Sequence, residues 1–296
     1  MNYLDSRSQK KRFNELSREF NSLYTSMREL GNEPFVMPFW EGVNKKVEPT
    51  FLPKPKLDFL SDQALRDTMF VAGSEEWIKA QTDYVKGKLG RKFKRLLTED
   101  PIGKPAKFHG GLSFTSHNSL HHMYHILFFL DQTHQNIEAM PSVVEWGGGY
   151  GNFAKLWWRL KKGPTTYTII DTSLFCTIQW LYLSSVLGPS SVNLLQRKSD
   201  QIVEGKINLV PLALLNTTKI KGDLFVSTWG LSESMANAQD YVINRRRWFG
   251  AEHLLIGFQD STKDLKHASR LGDLSKKNGA KVIDIKFIPN NHYAIK

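Results

Sequence analysis

Residues 143–153 read Val-Val-Glu-Trp-Gly-Gly-Gly-Tyr-Gly-Asn-Phe, four glycines in five positions behind an acid. Glycine lets a backbone turn sharply and approach a ligand with no Cβ in the way. Glu145, Gly147, Gly148, Gly149, Tyr150 and Gly151 are therefore candidate ligand-binding residues. A second carboxylate, Asp171, closes the run Thr-Tyr-Thr-Ile-Ile-Asp (166–171) and is followed by Thr172. A carboxylate there can accept from both hydroxyls of a ribose. It can equally cap a following helix, and both roles can coexist. A third stretch, Ser227-Thr228-Trp229-Gly230-Leu231-Ser232-Glu233, offers an acid beside hydroxyls and an aromatic ring. Glu233 is a candidate general base or hydroxyl binder, with Thr228, Trp229 and Ser232 as substrate contacts; as a first-turn acid it would also favour a helix dipole. His117, His121 and His125 recur every four residues, one face of a helix, with His122 beside them. His121 and His125 are candidate bases and His117 a candidate substrate contact, because imidazole titrates near neutrality. The same stripe also reads as polar residues on a half-exposed helix. Paired histidines at this spacing can hold a metal, but no carboxylate joins them, and no metal is expected. His292, near the C-terminus, is a looser candidate.

The positioning elements follow from periodicity. Short β-branched runs begin after residue 142: 143–146, 166–171, 207–211, 223–229, 253–259, 281–288 and 292–296. Helical stretches separate most of them. Such alternation predicts an α/β fold, a mostly parallel seven-stranded sheet with helices on both faces. Ligands in such sheets bind beyond the C-terminal strand ends, where the strand order reverses. Upstream, Phe13, Leu16, Phe20 and Leu23 give helical spacing over residues 1–30. Five prolines in 31–56 (Pro34, Pro38, Pro49, Pro53, Pro55) predict an extended connection. Residues 59–99 turn helical again, and 119–133 reads as a partly buried helix.

Two cofactor classes fit a glycine loop between strand and helix. A dinucleotide needs Gly-x-Gly-x-x-Gly, and its third glycine would fall on Asn152. The pattern acid-x-Gly-x-Gly-x-Gly is met without a gap by Glu145, Gly147, Gly149 and Gly151. That pattern is similar to the nucleotide loop of class I S-adenosylmethionine (SAM) methyltransferases. A structural turn in an unrelated α/β protein is the plainer alternative.

Composition sets the outer bounds. The chain has 296 residues, 41% of them hydrophobic, with eight Trp and eighteen Phe, enough for a packed core. Forty Lys and Arg against 29 Asp and Glu leave a formal charge of +11, which favours anionic partners without choosing among them. The run 86–95, KGKLGRKFKR, adds to that charge and also reads as a solvated face. One cysteine, Cys176, excludes an internal disulfide and a cysteine-rich zinc site. No signal-peptide pattern and no membrane-length apolar run is present, so a cytoplasmic protein is expected.

Taken together, these segments make the chain resemble the bacterial sugar O-methyltransferases of the class I SAM-dependent superfamily. The likeness covers about residues 105–260 and rests on VVEWGGGYGNFAKL, TYTIIDTSLFCTIQWLYLSSVLG, INLVP and DLFVSTWGLSES. Ser227 stands where that family more usually has asparagine before the threonine. The resemblance implies a Rossmann-like methyltransferase domain over 106–296 behind a mainly helical extension over 1–105. It implies SAM as cofactor, held by Glu145, Gly147, Gly148, Gly149, Tyr150, Gly151, Asp171 and Thr172. It implies a small-molecule or glycan acceptor methylated on a hydroxyl, and leaves a homo-oligomer open. RNA as acceptor, motivated by the basic charge, and a non-catalytic binding protein on the same fold are the competing readings.

Overall fold

The computed structural model describes residues 5–31, 33–69 and 73–296. Among the described residues six α-helices come first: α1 (Ser6–Leu16), α2 (Phe20–Arg28), α3 (Pro38–Phe51), α4 (Gln63–Met69), α5 (Glu75–Leu89) and α6 (Phe93–Leu97). Then α7 (His117–Thr133) leads into β1 (Ser142–Trp146), α8 (Asn152–Leu160), β2 (Thr166–Asp171) and α9 (Ser173–Leu187). The rest is β3 (Val192–Leu194), β4 (Ile207–Pro211), β5 (Leu224–Thr228), α10 (Ala236–Asp240), β6 (His253–Gln259), α11 (Arg270–Lys277), β7 (Lys281–Asp284) and β8 (Asn291–Ile295).

The sheet has eight strands in the order β3-β4-β2-β1-β5-β6-β8-β7. All neighbours pair in parallel except β8, which runs antiparallel to β6 and β7. This is the Rossmann-like sheet expected, with one strand more. The extra strand is β3, three residues at the edge beside β4, too short for a period-2 signal. Strand β7 stops at Asp284, so the run read as reaching residue 288 is cut short. Side chains alternate between two apolar layers. Val143, Tyr167, Ile169 and Val226 face one; Val144, Ile170, Phe225 and Ile256 face the other.

Helix α9 explains much of the N-terminal extension. Nearly all its side chains are buried, which requires cover on the side away from the sheet. Helices α1 and α2 supply it, burying Phe13, Phe20, Tyr24 and Met27. A buried charge network holds α8. Lys155 Nζ lies 3.5 Å from Glu99 and 3.6 Å from Asp100, and donates to the Tyr182 hydroxyl at 3.0 Å. Arg159 reaches Asp100 at 2.7 Å, and Gln9 of α1 donates to the same carboxylate at 2.8 Å. Each buried charge therefore has an opposite partner, without which its desolvation would be prohibitive.

The extended connection expected over 31–56 is instead largely helix α3. Pro38 occupies its first turn, where a missing N–H costs nothing, and Pro49 falls in its last turn. Val43, Val47 and Phe51, spaced by four, bury its inner face, and that packing outweighs the proline count.

Candidate functional site

The strand order reverses between β1 and β5, and a cavity of about 330 Å³ opens above their C-terminal ends. Glu145, Gly147, Gly148, Gly149 and Tyr150 line it, with Asp171 and Thr172 from the end of β2. Thr228, Trp229 and Glu233 form the wall after β5, and His121 and His122 of α7 face them. Gly151, Ser232, His117 and His125 lie off the wall.

The glycine loop is shaped by what lies against it. Gly147, with φ 76°, crosses the loop after β5 so closely that a Cβ would sit 3.0 Å from Gly230 Cα. A Cβ on Gly148 would meet Ile169 at 2.6 Å. Gly149, φ 55°, comes nearest Met69, whose sulfur would be 2.9 Å from an added Cβ. Ser227 bolts the crossing together: its hydroxyl donates to Trp146 O at 3.1 Å and accepts from Leu231 N at 2.8 Å. That is the work of the residue standing where asparagine is more usual.

The two cofactor-side acids are built differently. Glu145 is buried and accepts from the Tyr167 hydroxyl at 2.9 Å; burial still pushes its pKa up to about 8. Asp171 takes one bond per oxygen, from Thr172 N at 2.8 Å and from Gln179 Nε2 at 2.9 Å. Burial raises it to about 7 against those donors, and the nearby Glu33 adds to the rise. Gln179 also donates to Gly149 O at 2.8 Å, tying the loop to the strand end. Thr172 caps α9, so the capping and ligand-facing readings coincide in neighbouring residues.

Across the cavity, Glu233 is partly exposed and has no cationic partner among the described residues; burial alone raises it to about 7. Trp229 holds a left-handed φ of 68°, lies against Gly257, and donates from Nε1 to Asn291 at 2.6 Å. Its ring stacks on His121, centroids 6.0 Å apart. Ser232 turns away, donating to the Trp229 carbonyl and reaching Gln259, both at 2.7 Å.

His121 and His125 are buried, while His117 and His122 are half-buried. His121 Nδ1 lies 2.8 Å from the Gln81 amide nitrogen of α5, and His122 Nδ1 lies 3.0 Å from that of Asn152. Where an amide nitrogen faces the ring it donates, and the neutral ring then carries its proton on Nε2. Burial holds His121 and His125 well below the usual histidine pKa and His122 at about 3. His125 bonds to the Tyr293 hydroxyl, and His117 packs on Trp77. His292 bridges Asp260 and Asp284, away from the cavity. Among the described residues no group of three ligand-type side chains could hold a metal.

Several wall residues carried no sequence signal. Phe35, Val36 and Met37 come from the segment leading into α3, Trp40 from its first turn, and Thr68 and Met69 from α4. Pro38 as a helix start followed by apolar residues every four could have revealed α3. Nothing local could have shown that it closes a cavity behind residue 171. Asn152 and Gln179 did carry a signal, as polar residues inside apolar helices.

No family model matches the sequence, and no curated protein does. Solved structures with a similar fold include the pyocyanin biosynthetic protein PhzM, at 16% identity over 60% of this chain and 56% of that one, TM-score 0.40. The mitomycin 7-O-methyltransferase MmcR aligns at 12% identity over 81% and 72%, TM-score 0.41. An O-methyltransferase family protein from Burkholderia thailandensis aligns at 13% over 87% and 94%, TM-score 0.39. The chain thus spans little more than half the length of the pyocyanin protein. At this level of likeness the function rests on the site itself.

Proposed function

We propose that the chain is a SAM-dependent O-methyltransferase acting on a hydroxyl of a small molecule, with a sugar or glycan precursor as the class the family resemblance implies. The observation that carries this reading is the cavity itself. Its one side joins a close-approach glycine loop to a ribose-competent carboxylate, and its other side presents an acid without a counterion. The donor set fits SAM: three carboxylates line the wall, suited to a ligand with a sulfonium and an ammonium group. Asn152 disfavours a dinucleotide, because its buried side chain bonds His122 and Ser119, a task glycine cannot perform.

SAM supplies, when bound, a methyl group already activated by its positive sulfur. Asp171 would accept from the ribose hydroxyls, and Glu145 and the loop backbone would hold the amino-acid end. Glu233, ionised above about pH 7, would take the acceptor proton as the new oxygen–carbon bond forms and the carbon–sulfur bond breaks. His121 and His122, neutral, would donate hydrogen bonds that orient the acceptor. His125 has no direct role in this scheme, since it lies off the wall.

Calorimetric titration with SAM, S-adenosylhomocysteine and NADH side by side tests the reading. Micromolar binding of the first two without NADH is expected. A folded protein that binds neither SAM nor its product would overturn it.

A further inference from the structure

The sequence carries a charge of +11, yet the cavity carries none of it. Among the described residues no lysine or arginine lies on the wall. The residues outside that set (1–4, 32 and 70–72) are Met-Asn-Tyr-Leu, Asn and Phe-Val-Ala, and hold no basic side chain. The titratable wall groups are Glu145, Asp171 and Glu233, with Tyr150 and two histidines held neutral by burial. The cations are elsewhere. Lys86, Lys88, Arg91, Lys92, Lys94 and Arg95 are exposed on and after α5. Lys155 and Arg159 are buried but committed to Glu99 and Asp100.

We infer that the acceptor is an uncharged hydroxyl compound, with no phosphate, sulfate or carboxylate near the methylated oxygen. An anion beside Glu233 would meet a like charge in a poorly solvated space, with no lysine or arginine of the wall to offset the loss of its hydration and only the cofactor's own sulfonium nearby. The basic surface therefore does not report the substrate. A neutral sugar or phenol suits this charge pattern; a sugar phosphate, a uronic acid or the backbone phosphate of a nucleic acid does not. This inference rests on the methyltransferase reading, and it sharpens that reading from any hydroxyl acceptor to a neutral one.

Two measurements on the full chain test it. The first is iodide, caesium and acrylamide quenching of tryptophan fluorescence with S-adenosylhomocysteine present, taking the difference between wild type and Trp229→Phe to isolate Trp229. Caesium and acrylamide should quench that component and iodide should not. Iodide quenching as strong as caesium quenching would show that the wall admits anions and would overturn the inference. The second is transfer of radiolabelled methyl from SAM to matched pairs: catechol against 3,4-dihydroxybenzoate, and methyl glucoside against glucuronate and glucose 6-phosphate. The neutral member should lead by about tenfold or more in kcat/KM. A preferred anionic member would overturn the inference while leaving the methyltransferase reading intact. Loss of SAM binding in calorimetry would instead mark failure of that underlying reading.

Discussion

Replacing Asp171 by asparagine probes the nucleoside end of the cavity with little change of shape. In the wild type each carboxylate oxygen already accepts one bond, from Thr172 N and from Gln179. Each keeps a second lone pair for a ribose hydroxyl. Asparagine retains one acceptor oxygen and sets an NH₂ against a donor. A hydrogen bond to a charged group contributes about 1.5–3 kcal/mol. Losing the charge on two such bonds should cost roughly 3 kcal/mol, or about 150-fold in Kd. The pH dependence has a definite sign. The free carboxylate titrates at about 7, and only its ionised form accepts two hydroxyls. SAM affinity should therefore rise as pH increases from about 6 to 8, with protons released on binding. Titration calorimetry at three pH values, in two buffers of different ionisation enthalpy, measures both quantities. The asparagine variant should bind weakly and release fewer protons. A folded variant within about threefold of wild type, or a wild-type affinity that falls as pH rises, would refute the reasoning.

Glu145→Gln should stabilise the ligand-free protein at alkaline pH. The folded pKa of Glu145 is about 8 and the unfolded value about 4.3, so between them the folded state holds a proton that the unfolded state has lost. Stability thus declines as pH rises through that window, and melting curves at pH 5 and 8.5 should show a smaller decline in the variant. Gly147→Ala should lower Tm and S-adenosylhomocysteine affinity more than Gly149→Ala: both strain a left-handed backbone by about 1–2 kcal/mol, but the Gly147 Cβ meets backbone at Gly230 and the Gly149 Cβ meets the mobile end of Met69. Equal losses would argue against the backbone crossing. Glu233→Gln should reduce kcat by about 10²–10⁴-fold with SAM binding unchanged, and abolish a rise in kcat/KM centred near pH 7. An unaltered pH–rate profile would remove Glu233 from the base role.

The sequence by itself determined the elements whose information is local. Short, continuous apolar runs at 166–171 and 253–259 give β2 and β6 with the bounds observed, because both sheet faces are apolar and each strand ends at a polar break. The glycine loop was legible because only glycine tolerates three left-handed positions in five. Other features depend on contacts between distant segments. Helix α3 looked extended because prolines in its first and last turns are helix-breaking signals when read one at a time. Its leader, residues 35–37, reaches the cavity only because α1 and α2 dock on α9 and bring the extension over the strand ends. The histidine stripe showed its spacing but not its surroundings. Gln81, forty residues before His121, and Asn152, thirty residues after His122, set which ring nitrogens carry the protons. Net charge says nothing of the cavity for the same reason: it sums over the whole surface, whereas a site responds to groups within a few ångströms, and among the described residues folding placed no lysine or arginine on the wall.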